Sequence, residues 1–192
     1  FLLLLYTFFG DFRYAILPII NAAVATISTA SLLGFMDWKI SVVSSNFIAL
    51  LLILTISLTV HILVRYNELL AHTSNKTNAI AKACQQMFLP CFFAAFTTAI
   101  AFISLILGDI KPVIEFGKMM AVGMLFSFIF TFTLLPALMQ LLLPTNNFEP
   151  KWINYLQKFF SELALKTGKL MSLFSAFMFI LLLIGISQLK VE

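Results

Sequence analysis

The sequence predicts an all-α fold, a polytopic transmembrane helical bundle, and three observations support this class. Hydrophobic residues make up 61% of the 192 positions and charged residues only 10%, a composition far from that of soluble domains. Apolar runs longer than the roughly 18 residues needed for a membrane span recur along the chain. The lysines and arginines lie singly between those runs, which favours a membrane protein over a nucleic-acid-binding one.

The apolar runs define the expected spans in order. The opening run, residues 1–9, would cover only about 14 Å as a helix, too short for a hydrocarbon core about 30 Å thick. We therefore interpret it as the end of a truncated helix and the chain as a fragment. Two surface helices are expected as well, a short interfacial one from about Lys76 and an amphipathic one within 144–169. The complete spans are expected at residues 14–36, 40–65, 88–107, 113–143 and 170–187.

Loop charges predict the orientation of these spans. Eight lysines and arginines lie in the loops at 10–14, 65–87 and 144–169, and four lie on the opposite side. Because positive loops face the cytoplasm, the first set is expected inside, and the alternation of sides agrees with the number of spans.

One face of the second span carries polar side chains. At 100° per residue, the positions 46, 50, 53, 57 and 61 fall within about 80° of one another. Three of them are polar, namely Asn46, Ser57 and His61, and polar groups in a span are costly unless they face protein or water. We therefore expect this face to point to the bundle centre. Thr55 and Thr59 would lie opposite, each bonding a carbonyl one turn back.

His61 has two interpretations. It lies four residues before Arg65, about 6 Å along the helix axis, and therefore close to the cytoplasmic interface. There it is either a solvated histidine at headgroup level or a titrating group at the mouth of a proton or substrate path, since imidazole changes charge near neutral pH.

The fourth complete helix carries small residues at four-residue spacing, a pattern that lets helices pack closely in lipid. These helix-packing candidates are Gly117, Ala121, Gly123 and Ser127.

The spacing of the two cysteines and the absence of known catalytic motifs argue against a catalytic or metal-dependent function. Cys84 and Cys91 lie about 10 Å apart along one helix, beyond the reach of a disulfide, and we interpret them as packing residues. No Cys/His cluster has metal-ligand spacing. There is no phosphate-binding loop, HExxH or GxSxG motif. We expect no enzyme, no cofactor and no metal.

Three local patterns occur in order along the chain. They are ISLTVHILVRYNEL at 56–69, FTTAIAFISL at 96–105, and EFG at 115–117 followed by Gly123 and by LLPAL at 134–138. Together they resemble the RND superfamily, in particular MMPL-type and Patched-like exporters. The first is similar to the family's fourth helix, GxGxDYxIHLLxRYxEE, from the histidine onward; the second resembles the fifth-helix pattern TT-A-GF-SL, and the third resembles the sixth helix.

This resemblance implies an RND-type membrane core, whose five-helix part is also called the sterol-sensing domain. Residues 1–143 would hold helices two to six of the first half, with the first helix truncated. Residues 144–169 would form a cytoplasmic amphipathic linker. Residues 170–192 would hold helix seven, the first of the second half, and the start of an extracytoplasmic segment.

The sequence departs from the fourth-helix pattern at Ile53, Ser57 and Leu58, where the family has Gly, Asp and Tyr, and the departure at Ser57 matters most. Ser57 stands where the family has a membrane-embedded aspartate that is taken to relay protons, and a serine hydroxyl does not store a proton in the usable range. The relay then lies in the missing second half, or His61 substitutes for it, or the protein is not proton-driven. Thr97 and Thr98 either bond their own helix or, as the resemblance implies, reach the fourth helix beside the relay position.

By resemblance, the expected function is export of a lipid or other hydrophobic compound from a bacterial cytoplasmic membrane, with a proton gradient as the energy source. The alternative is a sterol- or lipid-sensing module that regulates a partner without transport; an unrelated permease fits the three patterns less well. The expected partners are membrane lipids, the hydrophobic or lipid substrate and the missing second half of the polypeptide. A homo-oligomer is left open, and nucleic acid is not expected.

Overall fold

The structure is a computed structural model, and it describes residues 5–7, 10–35, 38, 46–73, 75–143, 158, 161–162, 172–174 and 176–179. The chain divides into two compact units, residues 1–148 and residues 149–192. In the second unit, the described residues are all helical. The predicted linker helix and last span lie largely outside the described residues.

The first unit is a bundle of four long helices. They are α1 (Phe12–Phe35), α2 (Phe47–His72), α3 (Lys76–Ser104) and α4 (Lys111–Leu142), with a 3₁₀ turn at Leu105–Leu107 after α3. Each of the four is long and apolar enough to cross a membrane. No strand occurs among the described residues. The predicted all-α transmembrane fold is therefore confirmed.

Two helices are longer than the spans that the sequence predicts. The interfacial helix and the third span form one continuous helix, α3, which starts at the predicted Lys76, where Asn75 caps it by accepting from the backbone N–H groups of Thr77 and Asn78. Pro90, inside this helix, removes only one backbone hydrogen bond, which a membrane helix tolerates. Helix α2 likewise continues past Arg65 to His72. Its buried face extends through Tyr66 and Leu70, so packing rather than span length sets its end.

Two glycines of α4 allow its close approach to neighbouring helices. A Cβ added at Gly117 would lie 2.5 Å from the Phe102 carbonyl oxygen of α3, and one at Gly123 would lie 2.9 Å from both methyl carbons of Leu51 on α2. Ala121 and Ser127 of the same helix are also buried. Small side chains thus face the helices that α4 contacts.

Polar contacts join the helices at the end of the bundle that the loop charges assign to the cytoplasm. The Lys76 ammonium donates to the backbone carbonyls of Gln140 at 2.7 Å and Leu143 at 2.5 Å. This cation therefore caps the C-terminal end of α4, where the helix dipole is negative. Arg65 of α2 donates through Nε to Gln86 Oε1 of α3 at 2.7 Å and pairs with Glu68 at 2.6 Å.

Candidate functional site

A set of uncharged polar side chains lies inside the bundle, where α1, α2 and α4 meet. All of them have no exposed surface. We call this set the polar ladder; it consists of Asn21, Thr55, Thr59, Ser127 and Thr131.

The polar ladder is connected by interhelical hydrogen bonds. The Asn21 side-chain nitrogen donates to the Thr59 hydroxyl at 2.9 Å and to the Thr131 hydroxyl at 3.0 Å. The Thr55 hydroxyl donates to the Leu51 carbonyl at 2.7 Å. Because that hydroxyl has one proton, Ser127 is the donor in the 2.7 Å bond between Ser127 and Thr55. The ladder therefore joins three helices without a buried charge.

The predicted back-bonding of Thr55 and Thr59 is confirmed, but these residues lie at the bundle centre. Thr59 donates to the Thr55 carbonyl at 2.9 Å. Each hydroxyl donates its proton to its own helix and still accepts a bond from a neighbouring helix, Thr59 from Asn21 and Thr55 from Ser127. The polarity of each face of α2 could not predict this burial, because Asn46, Ser57 and His61 make the other face appear the polar one.

The residues that were expected to face inward lie on the opposite side. Asn46, Ser57 and His61 are exposed, and Ile53 between them is 62% exposed. We call these four residues the outward face of α2. Within the four-helix bundle, the expectation that this face points to the centre is therefore wrong.

Thr97 and Thr98 of α3 bond their own helix. Thr97 donates to the Phe93 carbonyl at 2.7 Å, and Thr98 donates to the Ala94 carbonyl at 2.7 Å. Among the described residues, neither hydroxyl bonds α2, so the structure matches the back-bonding interpretation of this pair.

A small open cleft of about 100 Å³ lies between α2 and α3. Within it, Cys91 is only 2% exposed, whereas His61 is exposed. Cys91 and Cys84 are both free thiols. The cleft is lined by Leu58 and His61 from α2 and by Met87, Pro90, Cys91 and Ala94 from α3.

A row of phenylalanines runs beside the cleft on the outer surface of α3. Phe88, Phe92 and Phe96 are between 38% and 48% exposed, and neighbouring rings are nearly parallel, at 8° and 10°. Phe128 and Phe132 of α4 pack edge-on against this row, and the ring centroids of Phe132 and Phe88 are 5.2 Å apart. The four-residue spacing was visible in the sequence, but the contribution of α4 was not.

Four apolar spans, three of which are joined by an uncharged internal polar ladder, define an integral, multi-pass membrane protein. The chain belongs to the MMPL family, since the sequence model of that family matches residues 1–157. The family resemblance seen in the sequence is thereby confirmed.

Two relatives of known name are longer than the part that this chain matches. The chain is 27% identical over 137 residues to MJ1562 of Methanocaldococcus jannaschii, which is named as a membrane protein; the match covers 71% of this chain and 35% of that relative. It is 30% identical over 125 residues to the hopanoid transporter HpnN of Rhodopseudomonas palustris, covering 65% of this chain and 14% of the transporter. The chain thus spans well under half the length of both relatives.

Proposed function

We propose that this chain forms part of the membrane core of an MMPL-type secondary transporter that exports a lipid or other hydrophobic compound. Membership of the MMPL family and similarity to a hopanoid transporter support a lipid substrate. A bacterial cytoplasmic membrane is the proposed location. No catalytic role is proposed, and the transport energy comes from a proton gradient through a relay that lies mainly outside this chain.

The observation that carries this proposal is the outward face of α2. Ser57 and His61 lie within a span, yet both are exposed on the outside of the four helices. Inside the bundle, by contrast, Asn21, Thr55, Thr59, Ser127 and Thr131 are joined to one another by hydrogen bonds. A polar group facing hydrocarbon is costly, so such groups in membrane proteins usually meet protein or a water-filled path.

The occupant that we propose for this face is a second membrane half of the same polypeptide. Both named relatives are much longer than this chain and therefore have room for one. With a second half in place, Ser57 would lie at the boundary between the halves, together with His61 nearer the cytoplasm. A second copy of the chain is the other candidate occupant, and a cross-linking experiment from Ser57→Cys distinguishes the two.

Ser57 determines which membrane half carries the proton relay in this proposal. Its hydroxyl can pass a hydrogen bond but cannot hold a proton as a buried carboxylate does. The relay is therefore assigned to the covering half, and this half acts as the scaffold against which the relay opens and closes. The same serine also favours the alternative, a lipid-sensing module, because such a module needs no proton carrier.

Efflux from vesicles tests the two functions. The full-length protein would be reconstituted with a labelled hopanoid and other labelled lipids, and efflux followed under an imposed pH gradient. Wild type would be compared with Ser57→Asp and His61→Ala, and Thr97→Val serves as a matched control because Thr97 bonds only its own helix. We expect gradient-dependent efflux by wild type, with His61→Ala and Thr97→Val within about twofold of it.

The other outcomes have separate meanings. Loss of efflux in His61→Ala, with folded protein retained, would move the relay into this half. No gradient-dependent efflux by wild type or by Ser57→Asp would contradict transport and support the sensing module.

A further inference from the structure

Three side chains with metal-binding atoms line the cleft between α2 and α3. They are the imidazole of His61, the thioether of Met87 and the thiol of Cys91. The other lining residues, Leu58, Pro90 and Ala94, carry no side-chain donor atom. The imidazole comes from α2 and the thiol from α3, so only the fold brings these two donors to the same cleft.

Two of the three donors are neighbours on one face of α3. Met87 and Cys91 are four residues apart on α3, so their side chains lie on one face with Cβ atoms about 5–6 Å apart. His61 lines the same cleft from α2. In the described part of the chain, His61 makes no hydrogen bond and Cys91 forms no disulfide, so both donors remain available.

We propose that His61, Met87 and Cys91 form a binding site for a soft monovalent cation, Cu(I) in the cell and Ag(I) as a laboratory equivalent. Thiolate and thioether sulfur are the ligands that select Cu(I), and imidazole accepts it as well. A hard ion such as Mg²⁺ or Ca²⁺ prefers oxygen ligands, and none of the lining side chains carries oxygen.

Charge balance distinguishes a monovalent ion from Zn²⁺. On binding, the Cys91 thiol loses its proton to water and a sulfur–metal bond forms, with no change in the oxidation state of the metal. One thiolate then offsets one positive charge, and the loaded site is neutral. Zn²⁺ with the same ligands would keep a positive charge in an apolar surrounding, which is costly, and it would lack the fourth ligand that its structural sites have.

This site goes beyond the proposed transport function, because it requires neither a proton relay nor a particular lipid. It shares His61 with the outward face of α2 and takes Met87 and Cys91 from α3. Cys91 also packs in the hydrophobic core, as the sequence predicts, and metal binding would be an additional role of its side chain. Sequence spacing alone could not suggest it, because the third donor lies on a different helix.

Competition against a chromogenic Cu(I) chelator tests the site in the full-length protein in detergent. Wild type, Cys91→Ala, Met87→Leu and His61→Phe would be compared, and the Cys84→Ala variant is the matched control. Cys84 is a free thiol on the same helix but does not line the cleft. Loss of a second-shell partner already weakens metal binding roughly 10–100-fold, so loss of Cys91 should weaken it by at least that much.

The expected result is one equivalent of Cu(I) per protein, held through one nitrogen and two sulfur atoms in X-ray absorption spectra. Cys84→Ala should bind like wild type, whereas each of the three site variants should bind more weakly.

Absence of competing Cu(I) binding by folded wild type would overturn the proposal. So would equal losses in Cys84→Ala and Cys91→Ala, because those would show unspecific thiol binding. Elution volume and thermal unfolding of each variant identify any that has lost its fold, and Met87→Leu, which conserves volume, keeps the test decisive.

Discussion

The side-chain nitrogen of Asn21 lies 2.9 Å from the Thr59 hydroxyl and 3.0 Å from the Thr131 hydroxyl, so that one amide of α1 bonds both α2 and α4. Between helices in lipid there is no hydrophobic driving force comparable to that in water, and packing and hydrogen bonds decide which faces meet. The Asn21 amide therefore fixes the register of three helices at one level of the bundle.

Replacing Asn21 by leucine should destabilise the bundle. The change removes two interhelical hydrogen bonds while keeping the side-chain volume similar. Such bonds contribute about 0.6 kcal/mol each on average and up to about 1.7 kcal/mol, so we expect a loss of roughly 1–2 kcal/mol in the free energy of unfolding. Unfolding by SDS in mixed micelles measures it.

The control for this change is Thr97→Val, because Thr97 bonds only carbonyls of its own helix and should have little effect. A double variant of Asn21→Leu with Thr131→Val isolates the bond to α4, since the two losses should be less than additive. Strict additivity would contradict a direct bond between Asn21 and Thr131.

Gly117 and Gly123 should respond differently to alanine. At Gly117 the new methyl group meets a backbone carbonyl oxygen of α3 at 2.5 Å, and α3 cannot move aside cheaply. At Gly123 it meets the two methyl groups at the end of the Leu51 side chain, which can rotate. Overpacking a core costs about 1–3 kcal/mol, and we expect Gly117→Ala to reach that range and Gly123→Ala to fall below it.

A second substitution separates the two glycines further. Leu51→Val removes the methyl groups that crowd position 123, so it should recover part of the stability lost in Gly123→Ala and none of that lost in Gly117→Ala. The measurement is again unfolding in SDS mixed micelles. Equal recovery in both backgrounds would show that neither contact is specific.

Lys76 should stabilise the end of α4. Its ammonium donates to two terminal carbonyls of that helix, and a cation at a helix C-terminus contributes about 0.3–1 kcal/mol. Lys76→Met keeps most of the side-chain length but removes the charge, so we expect a loss of about 0.5–1 kcal/mol. Lys82→Met is the matched control, since Lys82 is exposed on the same helix. Similar losses in the two variants would contradict a capping role.

The spans and the family could be predicted from the sequence, but the facing of each helix could not. Long apolar runs fix where a helix crosses the membrane, and α4 was predicted within two residues at its start and one at its end. Which side of α2 is buried depends instead on contacts with other helices. Thr55 and Thr59 are buried because hydroxyls of Ser127 and an amide of Asn21 face them, and no pattern within α2 contains that information.

The same reason explains why the cleft was missed. His61 and Cys91 were each visible as single residues in apolar runs, and each had an ordinary interpretation. Whether they line one cleft depends on how α2 crosses α3 and on the continuity of α3 through Pro90. The sequence instead predicts an interfacial helix and a separate span in this region.

Cysteine accessibility tests the assignment of the two sides of α2. In a protein with its native cysteines replaced, Ser57→Cys places a thiol on the outward face and Thr55→Cys places one inside the polar ladder. If the outward face borders a water-filled path between two membrane halves, a small membrane-permeant maleimide should label Ser57→Cys at least about tenfold faster than Thr55→Cys, because thiolate chemistry requires water. Thr59→Cys should behave like Thr55→Cys, since both positions are fully buried.

Slow labelling at position 57 with rapid labelling at 55 would reverse the assignment and restore Ser57 to the bundle interior. Slow labelling at both positions would place the outward face against lipid or tightly packed protein, and the path would then have to run elsewhere.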